Sequence, residues 1–94
     1  MGKERGTTYR QWERVVKGYA NHWRIAMLEL LEGEPELSLQ DVSKKLDINL
    51  KTASEHLRRL ALAGLVLKRY HNRNVRHKLT LRAKHILTFL RKLE

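Results

Sequence analysis

Residues 37–66, LSLQDVSKKLDINLKTASEHLRRLALAGLV, hold two short helical patterns separated by three residues that extend neither. Ser38 and Asp41 have the spacing of a capping box and open a helix to about Leu46, with Leu39, Val42 and Leu46 turned inward and Asp41 four residues before Lys45. Asp47, Ile48 and Asn49 make a tight connection, and Asn49 is placed to cap a second helix. The apolar positions of that helix are Ala53, Leu57, Leu60 and Leu62, and Gly64 stops it. Two short helices on either side of a three-residue turn predict a helix-turn-helix.

Beyond Gly64 the helical period gives way to approximate alternation. LVLKRY and VRHKLT, joined by the turn-rich HNRN, predict a hairpin of about residues 65–70 and 75–79. Thr80 then caps a last helix in which Ala83, Ile86, Leu87, Leu90 and Leu93 recur at steps of three and four. On the other side of the opening stretch, Asn21 caps a helix whose inner face is Trp23, Met27, Leu30 and Leu31, ending before Gly33 and Pro35. Thr8 and Gln11 repeat the capping-box spacing ahead of Tyr9, Trp12, Val16 and Tyr19, which predicts a first helix over about 8–19, either separate from the second or forming one bent helix with it. The whole reads as a mainly α winged helix-turn-helix of five helices with a two-stranded β wing, one domain over 8–94 behind a flexible polar tail at 1–7.

Ninety-four residues bury one modest core and leave little room for an enclosed active site. Cysteine is absent, which excludes disulfides and thiolate metal sites and is compatible with an intracellular home. No apolar run approaches the roughly 18 to 20 residues of a membrane span, and the first residues carry no hydrophobic signal core, so a soluble cytoplasmic protein with no membrane partner is expected. The net charge of +10 is unevenly placed. His56 to Leu93 contains eleven Lys and Arg and no acid, whereas residues 1–55 balance nine basic residues against nine acids. Like charges that cluster add their fields, which favours a polyanionic partner over a merely solvated basic face.

NHWRIAMLELL, with Arg24, followed by LSLQDVSKKLDINLKTASEHLRRLALAGLV, with Ser54, His56, Leu57, Leu60 and Gly64, resembles the ArsR-type family of bacterial and archaeal repressors. The hairpin and LTLRAKHIL resemble that family's wing and closing helix, so the resemblance spans residue 21 to about 90. It implies a homodimeric regulator that represses by binding double-stranded DNA. The recognition helix at 49–63 would lie in the major groove and the wing at 65–79 on the backbone or minor groove.

The physics of groove binding asks for the same arrangement. A recognition helix needs one apolar face to dock and one polar face narrow enough for a groove roughly 12 Å wide. With Ala53, Leu57 and Leu60 inward, the outward positions are Lys51, Thr52, Ser54, Glu55, Arg58 and Arg59. The resemblance places base reading on Lys51, Thr52, Ser54 and Glu55, with Arg58 better suited to backbone. Glu55 either accepts from a cytosine amino group or pairs with Arg58 or Arg59 along the helix. In the hairpin, Lys68, Arg69, Arg73, Arg76 and Lys78 supply charge for phosphates, Asn72 and Asn74 can form the turn, and Arg73 sits at the tip. Alternation lets only some of them face DNA; the other reading is a charged edge that guards the hairpin from aggregation.

The first and last helices carry further apolar residues, Tyr9, Trp12, Val16 and Tyr19 on one and Ile86, Phe89, Leu90 and Leu93 on the other. They suggest a two-fold interface, which is also where the resembled family pairs, unless they pack on each other within one monomer. A dimer would read an inverted repeat with half-sites about one helical turn, roughly 10 bp, apart.

Many proteins of the resembled family release DNA on binding metal. The family's two cysteine positions in ELSLQDV are Ser38 and Gln40 here, and two ligand positions of the closing helix are Leu81 and Ala83, leaving Glu94 alone. His22, His56, His71, His77 and His85 have no recognised ligand spacing, so neither metal nor cofactor is expected, and His56 reads as a partly packed helix residue. No nucleophile elbow or phosphate-binding glycine loop accompanies the serines and histidines, which argues against an enzyme. A small-molecule effector, a protein effector or none are equally open. Two other functions fit the charge: a non-specific nucleic-acid-binding protein, and a winged-helix interaction module of a larger transcription or replication assembly.

Overall fold

The computed structural model describes residues 8–94, and the expected tail at 1–7 lies outside the described residues. The elements are α1 (Tyr9–Tyr19), α2 (His22–Gly33), α3 (Leu39–Leu46), α4 (Leu50–Leu62), β1 (Val66–His71), β2 (Asn74–Leu79) and α5 (Leu81–Arg91). Five helices with one antiparallel hairpin between the fourth and fifth form a winged helix-turn-helix.

Local chemistry sets most of the boundaries. Thr8 and Gln11 make both bonds of a capping box, the Gln11 amide donating to Thr8 Oγ1 at 3.1 Å and the Thr8 amide to Gln11 Oε1 at 2.7 Å. Asn21 has extended backbone and its side chain accepts from the amides of Trp23 and Arg24, so α1 and α2 are separate helices. Ser38 and Asp41 form the second capping box. The Asp41 carboxylate is thereby held at the start of α3, and Lys45, four residues on, pairs instead with Glu34 at 2.9 Å. Asp47 takes a left-handed conformation with φ 53° in the turn, and Asn49 caps α4 through the amides of Lys51 and Thr52.

The end of α4 is tied more tightly than its sequence suggests. Gly64 has φ +73°, its amide donates to the Ala61 carbonyl, and the Leu65 amide donates to the Leu60 carbonyl, the paired bonds of a Schellman motif. Thr80 and Arg82, at the start of α5, donate to the carbonyls of Gly64 at 2.7 Å and Ala63 at 2.9 Å. One corner therefore fixes the recognition helix, the hairpin and the last helix together.

The core joins Met27, Leu28 and Leu31 of α2, Val42 of α3, Ala53, Leu57 and Leu60 of α4, and Ala83 and Leu87 of α5, with Leu65, Val66 and Leu79 from the ends of the hairpin. Leu62 departs from the expected inner face: it is 75% exposed, because two residues beyond Leu60 lies about 200° around the helix. On α2, Leu28 is fully buried while Trp23 and Leu30 are only partly so, and Gly33 falls inside the helix rather than beyond it.

The strands pair from Val66 with Leu79 to His71 with Asn74, so the expected four-residue connector is a two-residue turn, Asn72 and Arg73. Asn72 takes φ 57°, a conformation its short polar side chain tolerates. Leu65, expected in the first strand, precedes it and is buried. His77 anchors β2 to the loop before α3: its amide and ring Nδ1 both meet the Leu37 carbonyl, and its own carbonyl accepts from Glu36. Burial pushes the His77 imidazole below its ordinary value, so the ring is neutral in the folded protein near pH 7.

α1 leans on the end of α4 at Gly18, where a Cβ would fall on that of Ala63. Helix propensity alone predicts that Gly18→Ala stabilises by about 1 kcal/mol. Overpacking against Ala63 predicts a loss of about 1–3 kcal/mol instead. Urea unfolding is expected to show the loss, and a gain in stability would contradict the close α1–α4 approach.

Candidate nucleic-acid interface

Between Lys51 and Leu60, α4 divides into a buried apolar stripe and an exposed polar face. Ala53, Leu57 and Leu60 are buried, and Lys51, Thr52, Ser54, Glu55, Arg58 and Arg59 are all exposed. Asn49 accepts the first free amides of the helix, those of Lys51 and Thr52, whose side chains are exposed at its N-terminal edge.

Glu55 is engaged along the helix. Arg58 donates to it from Nε at 3.0 Å and from Nη2 at 2.6 Å, and Arg59 Nε donates at 3.2 Å. The Arg58 hydrogen bonds, with the positive charges of Arg58 and Arg59, hold the carboxyl down to about 2. Of the two readings of Glu55, the pairing within the helix is the geometry present. It gathers three of the six outward residues into one cluster whose net charge is lower than its arginine count suggests.

The hairpin presents its charges on two faces. Arg69 and Arg76 lie opposite each other in the register, with Lys78 on the same face, whereas Lys68 lies opposite His77 on the other. Arg73 occupies the tip. Two of the five are drawn towards the body of the protein: Arg69 pairs with Glu36 at 3.0 Å and Arg76 donates to the Glu36 carbonyl at 3.3 Å. No spacing in the sequence marks Glu36 as a partner of the wing. Its φ of 69° is the local sign of an unusual loop, and the contact itself joins residues far apart in the chain. Lys51, Lys68, Arg73 and Lys78 make no ion pair among the described residues.

α1 and α5 leave an open groove of about 820 Å³ whose walls include Trp12, Val16 and Tyr19 on one side and Ile86 and Phe89 on the other. The two helices do not close on each other: Trp12 is 43% and Phe89 55% exposed. Tyr19 and Ile86 pack partly against the core, while Tyr9, Leu90 and Leu93 lie outside the groove lining. Leu62, expected inward on α4, and Leu81, which no helical stripe marks, are both largely exposed and add apolar surface here. Among the described residues there is no group of three or more His, Asp or Glu able to hold a metal ion, and no helix long and apolar enough to cross a membrane.

A family described as a helix-turn-helix domain matches residues 19–69. No curated protein matches the chain. Among solved structures, the chain is similar to a homodimeric winged helix-turn-helix DNA-binding domain from Mycobacterium bovis, described as a possible ArsR-family transcriptional regulator, with a TM-score of 0.84 and 23% identity over 99% of this chain and 86% of that one. It is also similar to reduced HlyU from Vibrio cholerae, with a TM-score of 0.76 and 28% identity over 89% of this chain and 88% of the other. A MarR transcriptional regulator from Methanosarcina mazei shares the fold at a TM-score of 0.72 and 22% identity, covering 83% of this chain and 54% of its own.

The clamp on Glu55 has a direct spectroscopic consequence. An NMR titration of the side-chain carboxyl is expected to give a midpoint of about 2, rising towards 4.5 in Arg58→Gln. Because the folded value is depressed, any stability from the cluster is present above the ordinary carboxyl value and is lost as pH falls through the folded one. A wild-type midpoint at 4.5 would show that the ion pairs do not form.

Proposed function

Because the chain belongs to the helix-turn-helix domain family, we propose that it is a homodimeric, sequence-specific regulator of transcription of the ArsR type, which represses from an inverted repeat in double-stranded DNA in the cytoplasm. The observation that carries this reading is the division of α4, docked through Ala53, Leu57 and Leu60 with a continuous polar face left outward. That face has the chemistry of a major groove reader: Lys51 suits guanine edges, Thr52 and Ser54 suit bases or phosphates, and Arg58 and Arg59 suit backbone. Arg73 at the wing tip, with Lys68 and Lys78, supplies phosphate contacts beside it, while Arg69 and Arg76 brace the wing through Glu36 and add to its field.

The dimer is supported by the exposed apolar residues of α1 and α5, which form a patch of the kind that marks an association surface. The homodimeric state of the similar Mycobacterium bovis domain supports the same assignment. In this reading residues 8–94 act as one DNA-binding domain, with Tyr9, Trp12, Val16, Tyr19, Ile86, Phe89, Leu90 and Leu93 at the two-fold interface. The Mycobacterium bovis domain is described as a possible transcriptional regulator and the Methanosarcina mazei protein as a transcriptional regulator, which supports a binding role for this chain over a catalytic one.

Selection of genomic fragments by the purified protein, followed by binding of enriched and scrambled duplexes across a range of salt, tests this. The expected result is an inverted repeat bound at least about a hundredfold better than scrambled DNA. Equal binding of both with a steep salt slope would overturn the specific reading in favour of general nucleic-acid affinity.

A further inference from the structure

A second, smaller cleft of about 380 Å³ opens where α1, α2 and α4 meet. Arg14 and Lys17 of α1, Arg24 of α2 and Arg59 of α4 line it, against a single acid, Glu13, which pairs with Lys17 at 3.3 Å. Leu62 and Ala63 add an apolar wall. Four cations therefore converge on a concave surface with one carboxylate among them.

Arg24 makes the arrangement unusual. Its Nε and Nη1 are buried and make no hydrogen bond among the described residues, and neither does the buried Nδ1 of His56. A guanidinium is not relieved by losing its proton in a protein, so its buried donors call for an acceptor. Burial and then the charge of Arg59 act against the Arg24 cation, with Glu55 opposing them. Glu55 is itself committed to Arg58 and Arg59. Glu13 shares the cleft but pairs with Lys17, and among the described residues no carboxylate forms an ion pair with Arg24.

We infer that this cleft binds a small oxyanion, a free carboxylate- or phosphate-bearing molecule, which accepts from Arg24 and draws Arg59 away from Glu55. Arg59 is the hinge of the coupling because it belongs to both sites: it lines the cleft, and its Nε–Glu55 bond at 3.2 Å is the longest of the three that hold the carboxylate. With Arg59 turned to the anion, one cation is neutralised and Glu55 is held by Arg58 alone on the outward face of α4. Both changes disfavour a polyanion there, so the ligand weakens DNA binding, and DNA weakens ligand binding by the same factor. The coupling rests on the DNA-binding reading; the anion site itself does not.

The test begins without DNA. Inorganic phosphate and citrate are titrated into the intact protein while the Nε–H resonances of its arginines are followed by NMR, with chloride at matched ionic strength as the control. A saturable shift confined to Arg14, Arg24 and Arg59 is expected, at least about tenfold tighter than any chloride effect. Arg14→Gln and Lys17→Gln, both on the exposed rim, are expected to weaken it by at least about tenfold while leaving DNA affinity in chloride unchanged. Shifts spread over all arginines, or equal shifts in chloride, would overturn the site. If the two variants lose DNA affinity in the absence of phosphate and citrate, the cleft takes a DNA phosphate and the free-ligand proposal fails. If the anions bind but the affinity for a selected duplex at constant ionic strength does not fall, the Arg59 coupling is wrong. A protein that binds no DNA at all would overturn the regulator reading and leave the DNA-free titration to decide the site.

Discussion

The structure depends on the docking of one helix by a stripe of three residues. Ala53, Leu57 and Leu60 belong to the core that α4 shares with α2 and α3, and their burial decides which side of α4 faces outward. Burying two leucines of this kind contributes roughly 3–6 kcal/mol, a large share of what a domain of this size can hold in reserve. The helix is held at both ends as well as along its side. Asn49 meets the free amides at the start, and the Gly64 corner meets the free carbonyls at the finish, where Thr80 and Arg82 bring in α5. A residue with a Cβ at Gly64 would have to adopt φ +73° and crowd Arg82. The wing and the last helix therefore take their positions from the same few residues that end α4.

Acidic residues shape the basic surface. The C-terminal part of the chain is strongly cationic in sequence, but the fold brings acids across to it: Glu36 to Arg69, Glu29 and Glu32 to Arg91, and Glu55 to Arg58 and Arg59. Exposed pairs of this kind contribute little to stability, and their larger effect is on position and field. They fix a hairpin against the body and hold two guanidiniums on α4, while Lys51, Lys68, Arg73 and Lys78 stay open to an external anion. The same principle underlies the α1–α2–α4 cleft, where the available carboxylates already have partners and Arg24 does not.

Features with a local cause were legible in the sequence. The caps at Thr8, Asn21, Ser38, Asn49 and Thr80 form as their spacing predicts, because each bond joins residues two or three apart. The inner stripe of α4 was legible for the same reason. What failed was decided by partners distant in the chain or by position around a helix: Lys45 turns to Glu34 rather than Asp41, and Leu62 points away from Leu60. The hairpin turn is shorter than its polar composition suggested because His71 and Asn74 pair across it. Glu36 as a brace for the wing, and the meeting of Arg24, His56 and Arg59, follow only from the packing of separate elements and have no sequence spacing to announce them.

In the proposed regulator α4 enters the major groove twice, once from each protomer, at a distance set by the α1 and α5 interface. Guanine N7 methylation interference on the selected fragment reads this directly, since N7 lies in the major groove. The expected result is two clusters of interfering guanines centred about one helical turn, roughly 10 bp, apart, with sedimentation showing two chains on each duplex. Interference absent from the major groove, a single cluster, or one chain per duplex would contradict it.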